Sequence, residues 1–286
     1  MPPGYYSGMN VHCPFAIRVA LFCAAALAGL GAWHEIQPSS LERELLNAPP
    51  VLAFATAERL REVHIVSDEE LKPALDRRAF LQDLVTRVAA GATTDQGRVE
   101  RWTEWLQNHM AHSVKPPLDT EGQAVYDPIW LLRNRVAHCG QTNRVLVDGL
   151  DAIGYKTRLV QFVGHVGAEG NFGDGWHYID ADIFDFGTFV RKQDGSLASG
   201  AEITANPDLI DTINPLEEAR LYPPVGRPHP PLDLAAARAL IKEQFTTRVS
   251  HDGAHVTPYV WVKTATRDQE TNKYFGWNYY HAEKGW

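Results

Sequence analysis

Apolar residues recur at helical spacing through the first half of the chain. Phe80, Leu81, Leu84, Val85 and Val88 draw one face, and Val99, Trp102 and Leu106 draw another. An α-helix turns once every 3.6 residues, so steps of three and four place side chains on one buried stripe. A third stripe runs through Thr142, Val145, Leu146, Gly149, Leu150 and Ile153; it opens at Cys139 and ends at Gly154. From Lys156 the texture changes to short β-type runs, 157–163 and 176–179, with Asn171, Gly173, Asp174 and Gly175 supplying a turn between strands. The pattern predicts an α+β protein in which N-terminal helices and a helix opened by Cys139 pack on an antiparallel sheet.

The ends of the chain read differently. Residues 19–33 are fifteen uncharged, mostly apolar positions after Arg18, short for a membrane span and sufficient for the apolar stretch of a signal peptide. Ala26 and Ala28 offer a small-residue cleavage site, and Met9 is an alternative start. Residues 1–33 are therefore read as a signal peptide, with an uncleaved N-terminal anchor as the second reading. Both export the body of the protein, to the periplasm, the exterior or the outer face of the inner membrane. The stretch 207–231 holds seven of the eighteen prolines, so 205–231 reads as an extended wrap or linker. Residues 232–286 read as a separate small α/β extension, with a helix over 234–245, a hairpin over 249–262 turning at Asp252 and Gly253, and an aromatic tail of Trp277, Tyr279, Tyr280 and Trp286. The central domain is then 39–204.

Composition narrows the partners. The chain has 27 Lys+Arg against 35 Asp+Glu, a formal net charge of −8, and no basic stripe, which argues against a nucleic-acid partner. Cys13 and Cys23 fall in or beside the leader, so Cys139 stands alone in the body and a disulfide framework is excluded for a mature form. Contact with a membrane is expected only through an uncleaved leader.

Cys139 is where the chemistry concentrates. A thiol at a helix N-terminus meets unpaired backbone N–H groups and the positive end of the helix dipole, both of which favour the thiolate. Such a nucleophile needs an imidazole to take its proton and a third group to orient that imidazole. The next segments carry His165, His177, Asp180 and Asp182. Side chains alternate along a strand, so Trp176, Tyr178 and Asp180 share one face and His177 and Ile179 the other. That parity pairs Asp180 with His165, opposite each other on neighbouring strands, and holds Asp182 in reserve. Trp130, Gln141, Trp176 and His177 are secondary candidates for substrate contact. His109, His112 and His138 fit no tight metal-ligand spacing, so neither metal nor cofactor is expected. Arg158 is read as pairing with an acidic side chain, and Glu169 as flanking a turn.

The stretch 139–180 resembles the core of the transglutaminase-like superfamily, whose fold is papain-like. That family has a cysteine opening a helix, a small residue at the helix end and an arginine-bearing strand, matched by Cys139, Gly154 and Arg158. A strand opening with histidine and carrying glutamate follows, then a strand with tryptophan four residues before aspartate, matched by His165, Glu169, Trp176 and Asp180. Asn143 stands where the family usually has alanine, and Gly167 where it has tryptophan. The resemblance implies a Cys139–His165–Asp180 triad and an exported thiol enzyme acting on amide bonds, as a protease, amidase or transglutaminase. Its substrate would be a peptide or other amide, with an envelope glycan or polysaccharide as a further partner. The alternative is a non-catalytic envelope or polysaccharide-assembly factor on the same fold.

Overall fold

The computed structural model describes residues 39–49, 64–71, 76–113, 115–162, 165–173, 175–182, 189–213, 234–246, 249–250, 256–257, 260–264 and 277–280. The leader, most of the proline-rich stretch, the turn at Asp252 and Gly253, and Trp286 lie outside them. Residues 40–286 form one compact unit; of the other, 1–39, only Ser39 is described. Among the described residues no helix is long and apolar enough to cross a membrane.

The first half is helical. Short α1 (Ser40–Leu46), β1 (Ile65–Val66) and α2 (Asp68–Leu71) precede α3 (Arg77–Val88) and α4 (Asp95–His109). Asp76 caps α3 by accepting from the Ala79 N–H, and Thr94 caps α4 by accepting from Gly97. Their apolar faces, Phe80, Leu81, Leu84 and Val85 on α3 and Val99, Trp102 and Leu106 on α4, are buried as the spacing predicts. Next come β2 (Ala111–His112), β3 (Leu118–Asp119), α5 (Pro128–Asn134), β4 (Val136–Ala137) and α6 (Cys139–Ala152). The parallel pairing of β2 with β4 sets His112 beside Ala137, two residues before Cys139. Gly154, at φ 98°, ends the helical stretch in a backbone conformation that side chains disfavour.

Helix α6 departs from the predicted stripe: of its residues all but Asp148 and Asp151 are buried. It is enclosed by α3, α4 and α5 on one side and by the sheet on the other. The sheet is formed by β5 (Lys156–Phe162), β6 (His165–Phe172) and β7 (Gly175–Ile179). One face, with Leu159, Ala168, Phe172 and Ile179, joins Leu146, Leu150 and Trp102 in the main core. The other face carries Val160, Phe162 and Tyr178 and is covered by α7 (Gly200–Ala205), a 3₁₀ turn (Pro207–Thr212) and α8 (Leu234–Thr246), which contribute Ile203, Ile210, Ile241 and Phe245.

Two of the described strands of the C-terminal segment join the same sheet. After the two-residue strands β8 (Val249–Ser250) and β9 (Val256–Thr257), β10 (Val260–Thr264) pairs antiparallel with β5, and β11 (Trp277–Tyr280) pairs with β10. The sheet order is β11-β10-β5-β6-β7, so β5 becomes an interior strand. The physical reason is plain: the core hairpins leave the β5 edge with unpaired backbone groups, and β10 satisfies them.

Candidate active site

Cys139 is the first residue of α6, 5% exposed, with His138 as N-cap. The cap is reciprocal: Gln141 Oε1 accepts from the His138 N–H at 2.9 Å, and His138 Nδ1 accepts from the Cys139 N–H at 2.9 Å. His165 opens β6 and Asp180 follows the last residue of β7, so both stand at the sheet end that meets the start of α6.

The structure brings Cys139, His165 and Asp180 together. His165 Nε2 lies 2.6 Å from Asp180 Oδ2, which leaves Nδ1 for the thiol. The two residues are not directly opposite, as the parity argument expected. The tight turn after Phe172 pairs it with Gly175 and Ala168 with Ile179; continuing that register sets Gly167, not His165, across from Asp180. The contact is diagonal, and it passes over Gly167: a Cβ there would lie 2.7 Å from the Tyr178 hydroxyl and 3.0 Å from Asp180 Oδ2. The glycine in place of the family's tryptophan is thus the space that the Tyr178 ring and the Asp180 carboxylate occupy.

Asp180 is fully buried and takes four hydrogen bonds on its carboxylate. Oδ2 accepts from His165 and from the Tyr178 hydroxyl at 2.7 Å, and Oδ1 accepts from Asn143 Nδ2 at 2.9 Å and the Asp182 N–H at 2.8 Å. Asn143 also donates to Val166 O at 2.7 Å and accepts from the Ala181 N–H at 3.0 Å, tying α6 to both strands. The sequence reading registers Asn143 only as a departure from the family and gives Tyr178 no role. Their signal would have been parity and helix phase: Asn143 lies four residues after Cys139, one turn along the same helix face, and Tyr178 shares the Asp180 face.

The electrostatics favour an ion pair. Burial pushes the Cys139 thiol up, but its contacts with His138 and His165 outweigh it and bring the thiol down to about 6. Burial opposes a charged His165, yet the Asp180 carboxylate and the Cys139 sulfur hold the imidazolium well above the usual histidine range. Burial raises Asp180, and the charge and bond of His165, with Tyr178 and Asn143, bring it below the usual carboxylate range. Burial and the Asp180 charge keep the Tyr178 hydroxyl protonated, as a donor.

A second imidazole–carboxylate pair borders the thiol. His112 Nδ1 lies 2.8 Å from Asp182 Oδ2, and its side chain is 40% exposed. Burial would lower this imidazole, but Asp182, with Cys139, raises it to about 9. Cys139 Sγ, a His165 ring nitrogen and an Asp182 carboxylate oxygen lie within 4.8 Å of one another, a thiolate, imidazole and carboxylate set that a soft divalent cation accepts. His109 takes no part. It is buried against Trp105 at 4.2 Å, its Nε2 is 3.2 Å from Leu132 O, and burial, then Arg135, pushes it down to about 3.

The secondary candidates are engaged elsewhere. The Gln141 amide is committed to the cap and, through Nε2, to Val125 O at 2.5 Å. Trp130 packs against the main core, its ring edge toward His64. Trp176 stacks under the Arg158 guanidinium at 3.8 Å. His177 lies on the opposite sheet face, between Leu197 O at 2.7 Å and Phe172 O at 3.2 Å. Glu169 does not flank a turn: it sits inside β6, 1% exposed, and pairs with Arg158 at 2.6 Å.

No curated protein matches the chain. Solved structures that it resembles include a cysteine protease candidate from Cytophaga hutchinsonii (16% identity, TM-score 0.32, 40% of each chain covered). A protease candidate from Parabacteroides distasonis (16%, 0.32, 53% of this chain and 31% of that) and a TGase (13%, 0.30, 60% and 40%) are similar in the same degree. The chain spans less than half the length of each. Residues 82–181, from α3 through Asp180, match the family model of the transglutaminase-like superfamily, a stretch that contains Cys139, His165 and Asp180.

Proposed function

We propose that this protein is a thiol enzyme that cleaves or transfers amide bonds by acyl transfer through Cys139. The observation that carries the reading is the junction of a helix-opening thiol, brought down to about 6, with an imidazole paired to a buried carboxylate at 2.6 Å. The Cys139 thiolate adds to an amide carbonyl carbon, and the carbonyl electron pair moves to oxygen. The intermediate collapses with cleavage of the C–N bond as His165 gives its proton to the departing amine, leaving a thioester on Sγ. Water or a second amine then adds, His165 takes its proton, and the thiolate leaves, which restores the ion pair. Asp180 fixes the His165 tautomer and stabilises its charge. The donor is a peptide or another amide, and the apolar leader supports action outside the cytoplasmic membrane.

The test is the pH dependence of Cys139 alkylation by iodoacetamide in the full chain and in His165→Ala. A thiolate titrating near 6 that moves upward in His165→Ala is expected. A thiol titrating near the ordinary value of about 8.5 and indifferent to His165 overturns the reading.

A further inference from the structure

His138 holds an unusual position for a residue that neither acid–base step uses. Its backbone is extended and fixed by the bond from its N–H to Gln141. Its ring folds back over the helix start, so that Nδ1 lies 2.9 Å from the Cys139 nitrogen and 3.0 Å from Sγ. When a thiolate adds to a carbonyl, the developing oxyanion is bonded to the carbon that Sγ attacks. It therefore lies about 2.7 Å from sulfur and about 2.7–3.1 Å from the N–H groups that stabilise it. At a helix N-terminus the donor nearest the nucleophile is the nucleophile's own amide. Nδ1, at 2.9 Å from that nitrogen and 3.0 Å from Sγ, comes within a few tenths of an ångström of both distances.

We propose that the His138 imidazole occupies the oxyanion position of the resting site and that a substrate carbonyl must displace it. The proposal rests on the acyl-transfer reading and deepens it. In the resting molecule the ring satisfies the Cys139 N–H, which burial would otherwise leave without a partner. Displacement needs only side-chain rotation, because the Gln141 bond holds the backbone in place. The ring is half-buried, and the face of His112, at 5.1 Å between centroids, lies beside it. His138 thus makes turnover depend on substrates bound firmly enough to expel the ring.

Two reactions of the same thiol separate this role from others. Acylation by p-nitrophenyl acetate forms a tetrahedral oxyanion; alkylation by iodoacetamide displaces iodide at a saturated carbon and forms none. The ratio of their rates, each on its high-pH plateau so that the thiol is fully ionised, reads oxyanion stabilisation alone. His138→Ala empties the position. His138→Ser empties it while keeping a good helix cap, which guards against loss of the fold. The expected result is a rise in the acylation-to-alkylation ratio of about tenfold or more in both variants, below the roughly 10²–10³ that one oxyanion donor is worth. A reactive thiolate with an unchanged or lower ratio overturns the proposal alone. A thiol inert to both reagents overturns the acyl-transfer reading and the proposal with it.

Discussion

Asp180 spends its whole charge inside the protein, and its four hydrogen-bond donors are what make that tolerable. Asn143→Ala removes one of them and also leaves Val166 O and the Ala181 N–H short of a partner. Each buried group so abandoned costs about 1–3 kcal/mol. With more than one group abandoned, the expected outcome is a loss of roughly 2–6 kcal/mol in urea unfolding, together with slower amide turnover. At Gly167 an added methyl meets the Tyr178 hydroxyl and ring, so Gly167→Ala pushes a rigid aromatic into the carboxylate that orients His165. Alkylation of Gly167→Ala is expected to titrate at higher pH than in the parent. The pH dependence of turnover follows from two displaced groups. Cys139 loses its proton above about 6, so activity rises through that pH; His165 keeps its proton well above the usual imidazole range, so activity falls only on the alkaline side, where the leaving amine loses its acid. A turnover profile rising near 8.5 instead of near 6 would contradict the lowered thiol, and one already falling near 6.5 would contradict the raised imidazole.

Elements were more legible than contacts. Periodicity located α3, α4 and α6, and β-type runs located β5 and β7, because each of these signals lives within a dozen residues; the strand that carries His165 came from its expected pairing with Asp180 and from the family resemblance. The bonds of Asn143 to Asp180, 37 positions away, and of His112 to Asp182, 70 positions away, depend on how helices and strands pack, which local pattern does not encode. Glu169 was misread for the same reason: its partner Arg158 lies across a register that depends on the turn chosen. That pair now links elements, since Glu169 Oε1 also accepts from the Gly200 N–H at the start of α7, at 2.8 Å. Arg158→Met leaves the Glu169 carboxylate buried without its cation, an effect of about 3–5 kcal/mol, whereas Arg158→Met with Glu169→Met removes both charges and is expected to recover most of it. Chemical denaturation of the two variants measures this; equal losses in single and double variants would show that packing, not charge, holds the joint. Gly149 has a comparable role between α4 and α6, where a Cβ would lie 2.6 Å from the Trp102 indole nitrogen that donates to Leu146 O.

At the scale of the whole molecule, the C-terminal segment matters because of which edge it covers. The candidate site lies at one end of β6 and β7, while β10 and β11 extend the sheet on the far side of β5. The sequence reading set 232–286 apart because a proline-rich stretch precedes it, yet backbone pairing between Val260 and Gln161 and between Val262 and Leu159 crosses that stretch. Deleting residues 249–286 restores β5 to an edge whose Leu159 and Val160 are apolar, an arrangement that recruits other chains. The truncated chain is expected to self-associate in sedimentation at concentrations where the full chain keeps one size, and to unfold at lower temperature. The thiol, His165 and Asp180 lie away from that edge, so alkylation of the soluble fraction is expected to keep its midpoint near 6. A shifted midpoint would mean that the added strands also hold β6 in the register that carries His165 to the thiol.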